Sequence, residues 1–174
     1  GKNFGIRKHI IQYDDVMNTQ RQIMYEERMK VLRGENVHQD VLNLIPDFVT
    51  DIINENVNKG QEPSSWDKDK LNRALEAKAL PQETGFITDE ILEKWDYEYI
   101  VEKTIEKVIE CYEAKISAIE EDNEGRPENE HIDFHDFERF IFLQVVDKKW
   151  IDHIDAMDKL DYEIHLVAVG RRTS

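Results

Sequence analysis

The sequence of 174 residues is short of almost everything that interrupts a helix or builds a catalytic loop. It contains seven Gly and four Pro. Turn-rich all-β architectures use more of both, and alternating β-branched runs are scarce as well, so an all-α fold is expected. Cys111 is the only cysteine, which excludes an intrachain disulfide framework and fits a reducing compartment. It stands in an apolar helical run, the setting of a structural thiol rather than a nucleophile. No stretch of about 18 apolar residues occurs, so no transmembrane segment is expected. The opening residues do not read as a signal peptide. The chain starts inside one helical pattern and stops soon after another, as a piece of a longer protein would. It has no GxxxxGK followed by Ser or Thr, no GxGxxG or GxSxG after a strand, no HExxH and no CxxC. The loops that cradle phosphates, the nucleophile elbow and the common zinc spacings are therefore missing. On its own, the chain is not expected to be an enzyme or to hold a cofactor or metal.

What is present is charge and helical periodicity. Charged residues make up 35% of the chain, hydrophobic residues 40%, and the formal net charge is −15. Such a chain repels nucleic acid, so no nucleic-acid partner is expected. The charge is uneven. Residues 1–34 hold seven basic against four acidic side chains, +3, which leaves −18 for the remainder. A cationic first helix beside an acidic body points to packing within the chain or against a large partner.

The spacing predicts a first helix over residues 4–33, with Ile6, Ile10, Tyr13, Met17, Met24 and Val31 on one stripe and Gly34 as its stop. About 30 residues span roughly 45 Å, the length of a strut rather than of a globular core. A second helix is expected over 37–58, capped by Asn36 and kinked or divided at Pro46. Ser64 or Ser65 would cap a short helix over 66–78. Thr88 would cap one over 89–94, and Asp96 a longer one from Tyr97 to about Glu120. Residues 120–130 read as an exposed acidic linker. A last helix should start near Asp133, fade near Leu166 and stop at Gly170. The pattern is strut, insert, strut, and the two struts pack antiparallel if the insert returns to where it left.

Few residues suggest chemistry. His131 and His135 are four apart, with Asp136 and Glu138 nearby, and could form a zinc site on one helix face. Using Asp133 as a cap instead leaves His131 outside the helix. Asp14 and Asp15 point about 100° apart on a helix, so they form no close acid–base pair. Asp152, His153 and Asp155 have no nucleophile placed with them. Salt bridges and caps account for these residues, and Trp150 reads as a core residue.

Two long stretches carry a family resemblance. Residues 7–21, RKHIIQYDDVMNTQR, are followed by Tyr25, Glu27, Arg28, Leu32, Gly34, Glu35 and Asn36. Residues 138–158 read ERFIFLQVVDKKWIDHIDAMD. The first resembles the opening of the helical scaffold of SecA, the ATP-driven motor of bacterial protein export. The second is similar to the same family's later scaffold helix, and both occur in the family's order. The resemblance implies helical scaffold over residues 1–35 and 126–174 and helical wing over 36–125. It implies inter-domain contacts for Tyr13, Asp14, Asp15, Trp150, His153 and Met157. It further implies partners in the SecA motor and preprotein-binding domains, the SecYEG channel and preprotein substrates. By the same resemblance, ATP and Mg belong to the parent protein and not to this segment, and the location is cytoplasmic, peripheral to the cell membrane. The last stretch departs from the family. Asp161, Tyr162 and Glu163 stand where Arg, Gln and Gly are expected, Val167 replaces an Arg, and Val169 replaces the Tyr of the finger loop. The finger's channel-contact role is therefore not carried to Val169. The alternative to a translocase segment is a free-standing helical adaptor for protein–protein binding.

Overall fold

A computed structural model describes the backbone of residues 2–173 and the side chains of residues 15–170 apart from His153, Met157, Asp161, Ile164 and Ala168. The order of elements is α1 (Lys2–Leu32), α2 (His38–Asn56), a 3-10 turn (Pro63–Ser65), α3 (Lys68–Lys78), α4 (Asp89–Lys94), α5 (Tyr97–Glu124), a second 3-10 turn (Glu128–Glu130) and α6 (Phe134–Thr173). No strand occurs among the described residues, and the fold is all-α. The chain divides into two compact units. Unit 1 comprises Gly1–Val37 with His135–Ser174, and unit 2 is His38–Phe134.

Unit 2 holds a core of its own. On α2, Val41, Ile45, Val49, Ile52 and Ile53 recur at helical spacing and are buried. They meet Leu71 and Leu75 of α3 and Ile100 and Val108 of α5 in one cluster with Trp66, Leu80, Ile87 and Leu92. Pro46 lies inside α2, yet α2 is one continuous element. An interior proline costs roughly 3 kcal/mol, and burying one large apolar side chain returns about 1.5–3 kcal/mol. With buried residues on both sides of Pro46, core packing outweighs the lost hydrogen bond. Thr50 Oγ1 also donates to the Pro46 carbonyl at 2.7 Å.

The caps follow local chemistry. Thr88 accepts a hydrogen bond from the Ile91 amide at 3.2 Å, and Asp96 accepts one from the Tyr99 amide at 2.8 Å, as the sequence leads one to expect. The start of α3 differs. Its cap is Asp67, which accepts from the Lys70 amide at 3.1 Å, rather than Ser64 or Ser65. Trp66 stays extended ahead of the helix and is 7% exposed. Its Nε1–H donates to the Asn58 carbonyl at 3.3 Å, so burial of the indole against the end of α2 delays the helix start. Likewise α2 begins at His38, so Asn36 does not immediately precede it.

Two asparagines fasten extended segments to helices. Asn72 Nδ2 donates to the Ile87 carbonyl at 2.8 Å, while its Oδ1 accepts from the Ile87 amide at 3.0 Å. Asn123 makes the same pair of bonds to Ile132, both at 2.9 Å. This second clamp ties residues 126–133, which are exposed as expected of the acidic run, back to α5. α5 itself runs to Glu124, past the expected end at Glu120, because the acidic run contains no breaker before Gly125. Unit 2 ends at Phe134.

Unit 1 is built on two long helices. At 31 and 40 residues, α1 and α6 extend about 46 Å and about 60 Å at 1.5 Å per residue. α1 ends in a Schellman motif. The Gly34 amide donates to the Val31 carbonyl and the Glu35 amide to the Lys30 carbonyl, each at 3.0 Å, with Gly34 at φ 71°. By contrast, Gly170 does not stop α6, which continues to Thr173. A helical glycine costs only about 1 kcal/mol relative to Ala and is no break by itself.

Replacing Leu75, fully buried, by Ala is expected to lower unfolding stability by about 2–5 kcal/mol, read as a fall in the urea midpoint. Asn72→Ala, which strands both backbone groups of Ile87, should cost about 1–3 kcal/mol in the same assay. A change below 0.5 kcal/mol, roughly the level of a neutral surface substitution, would contradict the role of the clamp.

Candidate interaction site

The two units differ in what they show to solvent. Large exposed apolar side chains concentrate on the long helices of unit 1. On α1 they include Ile23, Tyr25 and Leu32, the last 72% exposed. On α6 they include Phe137, Phe140, Ile151, Leu160, Tyr162, Leu166, Val167 and Val169. Phe48, Tyr99 and Ile132 are the counterparts within unit 2. A two-helix unit cannot cover helices that are apolar on more than one side. Exposed apolar surface on this scale marks interaction sites.

The sheltered side of α6 is a surprise. Glu138, Phe142 and Val146 recur every four residues and are buried, with Trp150 half-buried at the next step. Phe137 and Phe140, also on α6, are 52% and 56% exposed. The missed signal is the four-residue step 138, 142, 146, 150, which a glutamate at its head disguises. Glu138 is 1% exposed, and Oε1 lies 3.0 Å from His135 Nδ1. A carboxyl group at such depth requires hydrogen-bond partners, and His135 supplies one. On α1 the expected stripe is seen in Met17, which is buried, and in Met24 and Val31, which are half-buried. Ile6, Ile10 and Tyr13 have side chains outside the described residues.

The two helices are tied by Arg28 on α1, whose guanidinium donates to the Asp147 carboxylate on α6. These residues are 119 apart in the chain. Both belong to the two family-like stretches, although neither stands out by composition or spacing.

Of the residues assigned inter-domain roles by resemblance, Asp15 and Trp150 have described side chains. Asp15 is exposed on α1, and its carbonyl accepts from Thr19 Oγ1 at 2.9 Å. Trp150 is half-buried on α6. The side chains of Tyr13, Asp14, His153 and Met157 lie outside the described residues. The histidine pair has separate employment. His131 precedes α6, and its Nε2–H donates to the Arg126 carbonyl at 2.8 Å. His135 faces Glu138. Among the described residues, no group of three or more His, Cys, Asp or Glu is placed to hold a metal ion. An open groove on one turn of α1 is lined by Arg21, Gln22, Tyr25 and Glu26.

The charge divides along the same boundary as the fold. Unit 2 carries 10 Lys and Arg against 25 Asp and Glu, the entire −15 of the chain. Unit 1 carries 13 of each and is neutral. The cationic start of α1 is thus balanced inside its own unit by the acids of both long helices. Within unit 2, Glu106 both hydrogen-bonds Lys103 and attracts it electrostatically, which holds that ammonium above the usual lysine range. The same ammonium lies 5.3 Å from the centroid of the Tyr99 ring. None of the described helices is long and apolar enough to cross a membrane.

The chain is thus an all-α protein with a neutral, apolar-faced two-helix unit and a separately cored acidic unit. The whole chain, residues 1–174, matches the SecA wing and scaffold domain, and it belongs to that family. It is 38% identical over 171 residues to protein translocase subunit SecA 1 of Alkaliphilus metalliredigens, covering 98% of this chain and 18% of that relative. It is 39% identical over 172 residues to protein translocase subunit SecA 1 of Clostridioides difficile, covering 99% and 18%. With protein translocase subunit SecA of Finegoldia magna the identity is 38%, covering 98% and 17%. The chain therefore spans less than a fifth of the length of these relatives.

The Arg28–Asp147 pair is about 40% exposed on each side, so solvent screens it. A double-mutant cycle with Arg28→Ala and Asp147→Ala is expected to give a coupling of about 0.2–1 kcal/mol in urea unfolding. A coupling of about 3 kcal/mol or more would mean that the pair is desolvated and that the exposed description is wrong.

Proposed function

We propose that this chain is the wing-and-scaffold part of a protein translocase, and that it couples motion rather than performing chemistry. Unit 1 is the scaffold and unit 2 the wing. Membership of the SecA wing and scaffold family along the full chain is the observation that carries this reading. The named relatives, all protein translocase subunits, support it.

The physical features agree with such a role. A long α-helix is stiff because each peptide is bonded to the next turn, so a push at one end is felt tens of ångströms away. α1 and α6 have the length, and their exposed apolar residues offer surface for other domains to pack on. Those domains would be the motor and preprotein-binding domains of the longer protein. The SecYEG channel and the preprotein would be engaged by the assembled machine at the cytoplasmic face of the membrane. ATP and Mg²⁺ belong to the motor. The residues here do not fit them, since no GxxxxGK loop exists to cradle phosphates. The segment alone is accordingly no ATPase.

The test is a graft. This chain replaces the matching segment of full-length SecA 1 of Clostridioides difficile, and preprotein transport into membrane vesicles is measured. Transport well above that of a variant lacking the segment is expected. ATP hydrolysis by a correctly folded chimera without any transport would contradict the coupling role. Measurable ATP turnover by the isolated chain, retained through repurification, would contradict the division of labour.

A further inference from the structure

The chain passes between its two units twice, at Val37–His38 and at Phe134–His135. On the unit 2 side, both crossings end on one side chain of α5. The His38 imidazole stacks on Tyr112, with centroids 6.0 Å apart and planes 10° apart. The Phe134 ring meets the same Tyr112 edge-on, at 5.7 Å and 62°. Both distances lie within the range of favourable aromatic pairs. Next to Tyr112, Glu113 places a carboxylate oxygen 3.9 Å from His38 Nε2. Residues 38, 112 and 134 are remote in sequence, so only the fold of unit 2 brings them together.

The approach to Phe134 is also fixed. Asn123 holds both backbone groups of Ile132. His131 donates to the Arg126 carbonyl, and Arg126 pairs with Asp122 of α5 at 3.0 Å. The segment after α5 is folded back on the helix that carries Tyr112. Phe134 arrives there 9% exposed.

We propose that Tyr112 is a pin that fastens the two ends of unit 2 together. It is a positioning residue that holds His38 and Phe134 at one spacing within unit 2, so that neither end loosens independently of the other. The pin is a property of this chain and does not depend on the translocation reading.

Hydrogen exchange read by mass spectrometry on the whole chain tests the pin. Tyr112→Ala is expected to speed exchange at both crossings together, residues 36–40 and 131–136, by about tenfold or more, with protection at Leu71–Leu75 unchanged. Tyr112→Phe keeps the ring and should behave as the parent chain. Loosening at one crossing or neither, or a Phe variant that matches the Ala variant, would overturn the proposal. If Tyr112→Ala also strips protection from Leu71–Leu75, the outer partners decide. His38→Ala should then loosen residues 131–136, and Phe134→Ala residues 36–40, each acting across the ring. Effects confined to the mutated end would sink the proposal.

Discussion

Burial of Ile53, Leu71, Leu75 and Ile100 against one another is the interaction on which the organised part of this molecule rests. At about 1.5–3 kcal/mol for each large side chain, it carries a proline through the middle of α2. It also sets where the other pieces can go. Trp66 is held beneath the end of α2, which fixes the start of α3. Asn72, on the same helix as Leu71 and Leu75, then fastens the return segment at Ile87. The caps at Thr88 and Asp96 hand the chain to α5, whose Ile100 closes the core. α5 also carries Tyr112, which meets both His38 and Phe134.

Unit 1 obeys a different constraint. Its helices are secured by their own backbone ladders, by a glycine stop at Gly34 and by an ion pair that water partly screens. Many of its apolar side chains remain in solvent. One unit has a completed core, and the other has apolar surface left over. The electrostatics sharpen that contrast. All of the net charge sits on unit 2, while the long helices are neutral as a pair. A neutral, apolar-faced helix pair is suited to packing, and an acidic unit to staying solvated and off anionic surfaces.

Much of this was legible in the residues because local chemistry decides it. Thr88 and Asp96 sit directly before amphipathic runs, and Gly34 follows one; all three act as their positions suggest. The misreadings occur where distant contacts overrule local preference. Trp66 has the look of a helix residue until its indole is seen buried against Asn58. Gly170 looks like a stop, but nothing there demands a turn, and nothing lies within 4 Å of a side chain added at that position. Glu138 is the hardest case. A glutamate gives no hydrophobic signal, so the stripe it heads with Phe142 and Val146 was invisible to periodicity. The meeting of His38 and Phe134 on Tyr112 was equally hidden, since only tertiary structure joins these three residues. Of the six residues marked by family resemblance, only Asp15 and Trp150 have described side chains.

The central claim is that unit 2 is self-sufficient while the helices of unit 1 are completed by the longer protein. Hydrogen exchange of this chain alone, compared with the same chain grafted into full-length SecA 1 of Clostridioides difficile, tests it most directly. Amides of α1 from residue 15 to 32 and of α6 from residue 137 to 160 are expected to slow markedly on grafting, and those of α2, α3 and α5 to stay as they were. Equal protection of the long helices in both settings, or gains confined to unit 2, would contradict the claim.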